Sequence, residues 1–480
     1  MRLAELFEHD PSHPLLFNSG TFLLFFTGFV ALYAVLVKSP RARLAWLLAF
    51  SLFYYYRSNG LFMLTLVALA AIDWAIGLAI HAEERPGRRK ALLTTSIVSN
   101  LTALGYFKYT NFFLGTAASV AGRSFEPIDI FLPLGISFHV FQSLSYLVDV
   151  YRRRYAPTRS LFEYTLFLSF FPQIVAGPIV RAPEFFSQIH PLREPSHDDI
   201  AAGLYRVIQG LVKKALIADY VGLYADVVFA TPSTYTGPET LLAIYAYAIQ
   251  IYFDFSGYSD MALGMARTLG MQIPENFDSP YRATSVTEFW RRWHISLSSW
   301  LREYLYVSLG GNRRGKARQM VNLMVTMLLG GLWHGASWTF VVWGGLHGAA
   351  LAVEKLLGID DRRSRAGKIV GWVLTIHFVA ALWVFFRAQS FEGARAVFEQ
   401  LGSGWQVEPI GALLRARRWL VAVIGLAFVG SIVPRDWPDR LQSSFEPLPP
   451  VIKAVVFVAV IQLVVQSAGA EVQPFIYFQF

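Results

Sequence analysis

Residues 319–353 read QMVNLMVTMLLGGLWHGASWTFVVWGGLHGAALAV, thirty-five consecutive positions without an aspartate, glutamate, lysine or arginine. A spanning helix needs about 20 mostly apolar residues, because hydrocarbon offers its backbone no outside partner. The run is long enough to cross a bilayer, and Gly330, Gly331 and Gly335 mark a place where the helix breaks and where a backbone or substrate comes close to His334. An imidazole at hydrocarbon depth costs free energy unless it is hydrogen-bonded or faces water, which makes His334 and His347 functional candidates. Unperturbed histidine titrates near pH 6.5 and so takes and returns protons at physiological pH. The competing reading, a ring bonded to a neighbouring helix carbonyl, weighs more for His347 than for His334. Their separation, 347 − 334 = 13, lacks the i, i+4 spacing of a helical metal site, and no carboxylate accompanies them. No metal is expected.

Outward from this run, the composition agrees. The chain has 480 residues, 54% hydrophobic, 15% aromatic and only 16% charged, which excludes ordinary soluble domains and disorder alike. The net charge of +9 reads as basic cytoplasmic loops of a membrane protein before it reads as affinity for nucleic acid, and no nucleic-acid partner is expected. Cysteine is absent, which excludes disulfides, thiolate metal sites and an acyl-cysteine intermediate. Any thioester must therefore arrive on a bound cofactor.

Further charge-free runs at 11–37, 44–56, 58–72, 91–107, 109–122, 130–148, 164–180, 240–253, 369–386, 419–434 and 454–470 predict about ten to twelve membrane segments, some broken or re-entrant. Residues 11–37 are too long for a signal peptide, follow an acidic tail and precede no small-residue cleavage site, so they are expected to stay in the mature chain. Every second loop is basic: Lys38, Arg41 and Arg43; Arg85, Arg88, Arg89 and Lys90; Arg152, Arg153, Arg154 and Arg159. The loops between them are nearly uncharged or mixed, which places the amino terminus outside and the basic loops in the cytoplasm. Prolines 172, 178, 183, 191 and 195 break the pattern between 160 and 300. With no tandem repeat and no flexible linker, residues 1–480 read as a single integral-membrane domain.

The most patterned stretch is TEFWRRWHISLSSWLREYL, residues 287–305. At 100° per residue Trp290, Trp293, Leu297, Trp300, Leu301 and Tyr304 share one stripe, opposite Arg291, Arg292, Ser298, Ser299, Arg302 and Glu303, with His294 at the border. One reading is a structural helix lying at headgroup depth, rings in the interface and cations in water. The sharper reading is a helix roofing an active site, its arginines and those of the loop Gly310–Lys316 receiving an anionic ligand. That loop matches no phosphate-binding fingerprint. Asp254 and Asp260 are candidates for a proton relay, for orienting an imidazole, or for ion pairs with a neighbouring arginine. His139 and His377 are lone histidines on apolar faces, for which packing is the expectation.

FWRRWHISLSSWLREYLY followed by LLGGLWHGASWTFVVWGGLHG resembles the signature of the membrane-bound O-acyltransferases, and most closely the bacterial branch containing the membrane subunit of alginate O-acetylation. PLGISFHVFQSLSYLVDVYR (133–152), FPQIVAGPIVR (171–181), YFDFSGYSDMALGMARTLG (252–270), NFDSPYRATSVTEFW (276–290), FFRAQSF (385–391) and PFIYFQF (474–480) extend the similarity over nearly the whole chain. The resemblance implies an all-α membrane fold, about eleven transmembrane helices ringed around a central funnel with short re-entrant and interfacial helices. It implies that His334 is the essential family histidine and His294 the second signature residue. It implies acetyl-CoA as cytoplasmic donor, an exopolysaccharide such as alginate as acceptor, a periplasmic acetyltransferase or acetyl-carrier protein as partner, and residence in the bacterial inner membrane among its lipids.

On this expectation His334 removes the proton of an attacking hydroxyl, His294 orients the acceptor or donates to the developing oxyanion, and Arg291, Arg292, Arg302, Arg313 and Arg314 attract the CoA phosphates. The alternative class is a multi-pass transporter or lipid flippase, which shares buried histidines and broken spans. Such folds commonly carry paired halves, and the histidine motifs have no counterpart in residues 1–240.

Overall fold

The computed structural model describes residues 7–10, 14–175, 177–359, 364–405, 407–433, 436–467 and 475–476. They form helices joined by turns, with one isolated bridge between Ile189 and Leu192 and no strand among them. The chain divides into two compact units, Met1–Val207 with Met261–Pro274, and Ile208–Asp260 with Glu275–Phe480.

In the first unit, the helix Gly20–Val35 begins where the Ser19 hydroxyl accepts the Phe22 amide at 3.1 Å, supplying one of the partners a helix start lacks. Pro40–Asn59 begins with proline at its first position and continues through a short tight turn, Gly60–Phe62, into Met63–Ala82. The phenylalanines of the first helix pack inward, Phe29 at 4.3 Å from Phe50 and Phe171 edge-on to Phe50 at 5.0 Å. At the centre of the unit, buried Asp73 accepts from the Ser96 hydroxyl at 2.5 Å, from the Asn100 amide at 2.8 Å and from the Ser143 hydroxyl. The Ser143 oxygen lies 2.8 Å from the Tyr164 hydroxyl, so one carboxylate ties together four helices, Met63–Ala82, Pro86–Leu104, Ile136–Tyr151 and Leu161–Ser169.

The second unit holds the hairpin Lys316–His334 and Trp338–Leu357, so the charge-free run breaks immediately after His334. A Cβ on Gly331 would stand 2.2 Å from the Phe340 carbonyl oxygen, and one on Gly344 2.2 Å from that of Met327. Only glycine admits this backbone approach, the usual way helices pack where lipid removes the hydrophobic drive. Asp254 and Asp260 are buried in ion pairs, but with lysines rather than arginines. Lys214 reaches Asp254 and Asp219 at 2.6 Å each, and Lys213 reaches Asp260 at 2.6 Å, both lysines projecting from a π-helical stretch, Val212–Ala218. Asp254 also accepts the Ile476 amide at 2.8 Å, and Phe475 stacks on Tyr258 at 4.7 Å. The other residues of 474–480 lie outside the described residues.

By length and composition, three helical stretches among the described residues suit a membrane crossing: Pro40–Ala82, 43 residues and so long enough for two passes, Trp338–Leu357 and Arg365–Arg387. Shorter apolar helices are Gly20–Val35, Arg418–Ile432 and Pro450–Val464. The expected eleven are not reached on this measure. One cause is visible in Gly237–Thr268, whose 32 residues would extend about 48 Å but whose charges are paired inside protein, so it need not be apolar all round.

Residues 287–305 are not the single interfacial helix that their periodicity predicts. Val286–Arg292 ends, Ile295–Trp300 begins, and a π-helical turn, Leu301–Tyr306, follows. The apolar stripe faces protein: Trp293, Leu297, Trp300 and Leu301 are all buried.

Candidate active site

The break falls on His294, whose φ of 42° and ψ of 56° put a non-glycine residue in the left-handed region. Such a conformation costs on the order of 1–3 kcal/mol and persists where its surroundings over-determine it. Here the surroundings are residues 276–278. The Asp278 amide donates to the Arg292 carbonyl at 3.0 Å and the Ile295 amide to the Asn276 carbonyl at 2.9 Å, so helix hydrogen bonding gives way to a bracket from an earlier loop. From the other side, Glu354 on the second hairpin helix accepts the Val286 and Thr287 amides at 2.6 and 2.8 Å and caps the start of Val286–Arg292.

His294 is fully buried. Its Nδ1 lies 3.2 Å from Asn276 Oδ1, its ring meets Phe255 edge-on at 4.7 Å, and the Trp333 ring is 6.1 Å away. His334 closes its helix beside the same indole, 5.1 Å from Trp333, with Trp343 at 5.1 Å and Phe386 at 5.3 Å. The two predicted histidines are thus brought together around one tryptophan. His347 is buried among Trp343, Phe289 and Trp290, and its Nδ1 takes the Trp290 indole N–H at 3.3 Å. That is a packed, hydrogen-bonded histidine, the reading its sequence context favours, though the partner is an indole and not a carbonyl. His377 is exposed, bonds its own helix at the Val373 carbonyl, 2.7 Å away, and meets the Tyr245 ring edge-on at 6.1 Å. His139 is buried.

A cavity of about 520 Å³ lies beside this region, within the size range of small-molecule sites. Its polar wall includes Arg291, Arg302, Lys355, Ser298, Ser299 and Asn312. On Lys316–His334 it touches Met327 but no residue nearer the helix end, and Met327 lies about 10 Å of helix rise before His334.

Of the five arginines expected to receive an anion, Arg291 and Arg302 line the cavity. Arg292 does not. It pairs with Asp278 at 2.8 Å and with Glu288 at 3.0 Å. Burial alone would raise the Glu288 carboxyl, but the Thr284 amide and hydroxyl and then the Arg292 guanidinium outweigh it and hold the group below its ordinary value, so this pair stays ionised. Arg313 and Arg314 are exposed on the glycine loop, outside the cavity wall.

Sequence reasoning passed over Asn276 and Lys355. Asn276 carries no pattern that marks it, and its contact with His294 joins residues 18 apart through a turn. Lys355 lies just past the charge-free run and was legible only as the end of a span.

The sequence profile of the family described as "MBOAT, membrane-bound O-acyltransferase family" matches residues 98–386. A probable alginate O-acetylase of Pseudomonas putida is 36% identical over 492 aligned residues, covering 97% of this chain and 100% of that one. One from Pseudomonas aeruginosa is 40% identical over 87% of this chain and 81% of its own. A peptidoglycan O-acetyltransferase of Helicobacter pylori is 36% identical over 80% of this chain and 79% of its own.

Proposed function

This chain belongs to the membrane-bound O-acyltransferase family, and from that premise we propose that it moves an acetyl group from cytoplasmic acetyl-CoA to an extracytoplasmic polysaccharide such as alginate, directly or through a periplasmic acetyltransferase or acetyl-carrier protein. It is an O-acyltransferase. The polysaccharide acceptor rests on relatives named for alginate and peptidoglycan acetylation. The alternation of basic loops supports an amino terminus outside, and the likeness to bacterial polymer acetyltransferases supports the inner membrane.

The observation that carries the chemistry is the pair of buried imidazoles that both neighbour Trp333, in a unit that also holds a cavity walled by Arg291, Arg302 and Lys355. A hydroxyl is a weak nucleophile at neutral pH. His334 takes its proton while the oxygen attacks the thioester carbonyl. The tetrahedral intermediate then expels the CoA thiolate, the carbon–sulfur bond breaks, and the imidazolium returns its proton to sulfur. An O-acetyl ester and free CoA result. His294 holds the acceptor. Arg291, Arg302 and Lys355 take the CoA phosphates, Arg313 and Arg314 raise the local concentration of the anionic donor from solution, and Arg292 steadies the turn that carries His294.

The test is acetyl transfer from labelled acetyl-CoA by purified His334→Ala protein that elutes as folded material. A loss of 10²-fold or more, on the order general-base catalysis supplies, is expected. Wild-type turnover would remove His334 from the mechanism.

A further inference from the structure

The two tasks open to His294, holding an acceptor hydroxyl or donating to an oxyanion, need opposite tautomers. A neutral imidazole carries one N–H, and whichever nitrogen holds it leaves the other as an acceptor. The hydrogen bonds around Asn276 decide between them. Asn276 Oδ1 is met by the Ser296 amide at 3.3 Å and by the Ser296 hydroxyl at 2.7 Å, while its Nδ2 faces Ser259 Oγ at 3.4 Å. A backbone amide only donates, so the atom it meets is the oxygen, and the orientation of the Asn276 amide is fixed. That same oxygen lies 3.2 Å from His294 Nδ1, and an atom that only accepts requires Nδ1 to carry the proton.

We propose that Asn276 is a positioning residue that locks His294 as the Nδ1–H tautomer and so presents Nε2 as a bare proton acceptor. The proposal rests on reading His294 as part of the acyl-transfer site. Nε2 is buried with no hydrogen-bond partner among the described residues. Asn276, Ser259 and Ser296 are themselves buried, so bulk water does not compete for the arrangement. One residue fixes the backbone as well as the ring, since the Asn276 carbonyl takes the Ile295 amide immediately after the left-handed turn. A neutral His294 held this way cannot donate from Nε2 to an oxyanion. It accepts a hydrogen bond from the acceptor hydroxyl, and the oxyanion is stabilised by other donors.

The experiment begins with the unaltered protein. In detergent, with histidine labelled in both ring nitrogens by ¹⁵N, the signals absent from His294→Asn belong to His294. They are expected to show a protonated Nδ1 and an unprotonated Nε2, which resonate far apart. A protonated Nε2 in the wild type overturns the proposal whatever the variants do. In Asn276→Leu, which removes the acceptor, the His294 signals should move toward a tautomer mixture and turnover should fall on the order of 10²-fold, with the KM for acetyl-CoA within about two-fold of wild type. Asn276→Asp keeps an oxygen in place and should recover most of the turnover. Equal failure of the Leu and Asp variants, or full turnover in a folded Leu variant, would also overturn it. Failure of the wider reading looks different: an unprotonated Nε2 in a protein that transfers no acetyl group leaves the tautomer lock standing and removes the acetyltransferase assignment.

Discussion

Two buried polar centres, one in each unit, handle the same problem in opposite ways. Around Asp73 each carboxylate oxygen has a donor, Ser96 on one side and Asn100 with Ser143 on the other, and Oδ1 of Asn100 alone among these four side chains goes without. Around Trp333 and Trp343 polar atoms go without: Nε2 of His294, Nε2 of His347 and the indole nitrogens of Trp293 and Trp343 have no hydrogen-bond partner among the described residues. A buried polar group left unmatched costs about 1–3 kcal/mol, so a region that keeps several has reason to. The first centre is a staple. On the proposed reading the second holds atoms in reserve for a substrate, and it adds a strained backbone at His294.

The sharpest way to break this contrast is a pair of substitutions with crossed outcomes. His294→Asn keeps a residue that tolerates the left-handed backbone but cannot reach as far as an imidazole. Turnover should fall by about 10²- to 10³-fold, some 3–4 kcal/mol of barrier, with little change in melting temperature. Asp73→Ala strands the Ser96, Asn100 and Ser143 donors and should lower stability by about 2–4 kcal/mol, while the protein that remains folded turns over normally. Thermal unfolding and acetyl transfer, measured on both, decide the matter; a catalytic defect in folded Asp73→Ala with no loss of stability would dissolve the distinction.

A smaller effect separates arginines within the second centre. Arg302 lines the cavity and is exposed, whereas Arg292 is held by Asp278 and Glu288. Arg302→Ala should raise the KM for acetyl-CoA about 5- to 10-fold with kcat unchanged, and the penalty should shrink as salt screens the phosphates. Steady-state kinetics at two ionic strengths would show it. A fall in kcat with unchanged KM would place Arg302 outside donor binding.

How much of this was legible beforehand follows from the range of each interaction. The helical class, the break after His334 and the candidacy of both site histidines come from local composition and spacing. The Glu288–Arg292 pair is also local, an i, i+4 contact on one helix face. The single helix at 287–305 failed because periodicity counts apolar side chains and is blind to Asn276 and Asp278 taking its backbone bonds from 19 and 14 residues away. The lysine partners of Asp254 and Asp260 sit 40 and 47 residues upstream in a π-helical turn that no residue pattern announces.

Asp199 extends the staple principle beyond the membrane-spanning helices. Burial raises its carboxyl, but the Ser196 amide and hydroxyl and the Arg193 guanidinium more than offset that and leave it below the ordinary value. A carboxyl depressed in the folded state contributes stability above its unfolded pKa of about 3.9 and loses it as pH falls through the folded value. Wild type should therefore melt about 2 °C above Asp199→Asn at pH 5, and the gap should narrow toward pH 3. A gap independent of pH would mean the contribution is not ionic.

The last test attacks the criterion itself. His139 is buried in the first unit with neither ring nitrogen partnered among the described residues, so by unmatched atoms alone it would rank with His294. What it lacks is the rest: it lies inside a regular helix, Ile136–Tyr151, with no left-handed backbone, no asparagine fixing its tautomer and no place on the wall of either described cavity. An isolated neutral imidazole in such surroundings acts as a flat packing element, and a side chain of similar volume should replace it. His139→Leu is expected to leave turnover within about two-fold and to hold or slightly raise stability, since it removes two unmatched polar atoms from the interior. A large loss of acetyl transfer in folded His139→Leu would show that unmatched nitrogen alone marks function here, and would bring the first unit into the chemistry.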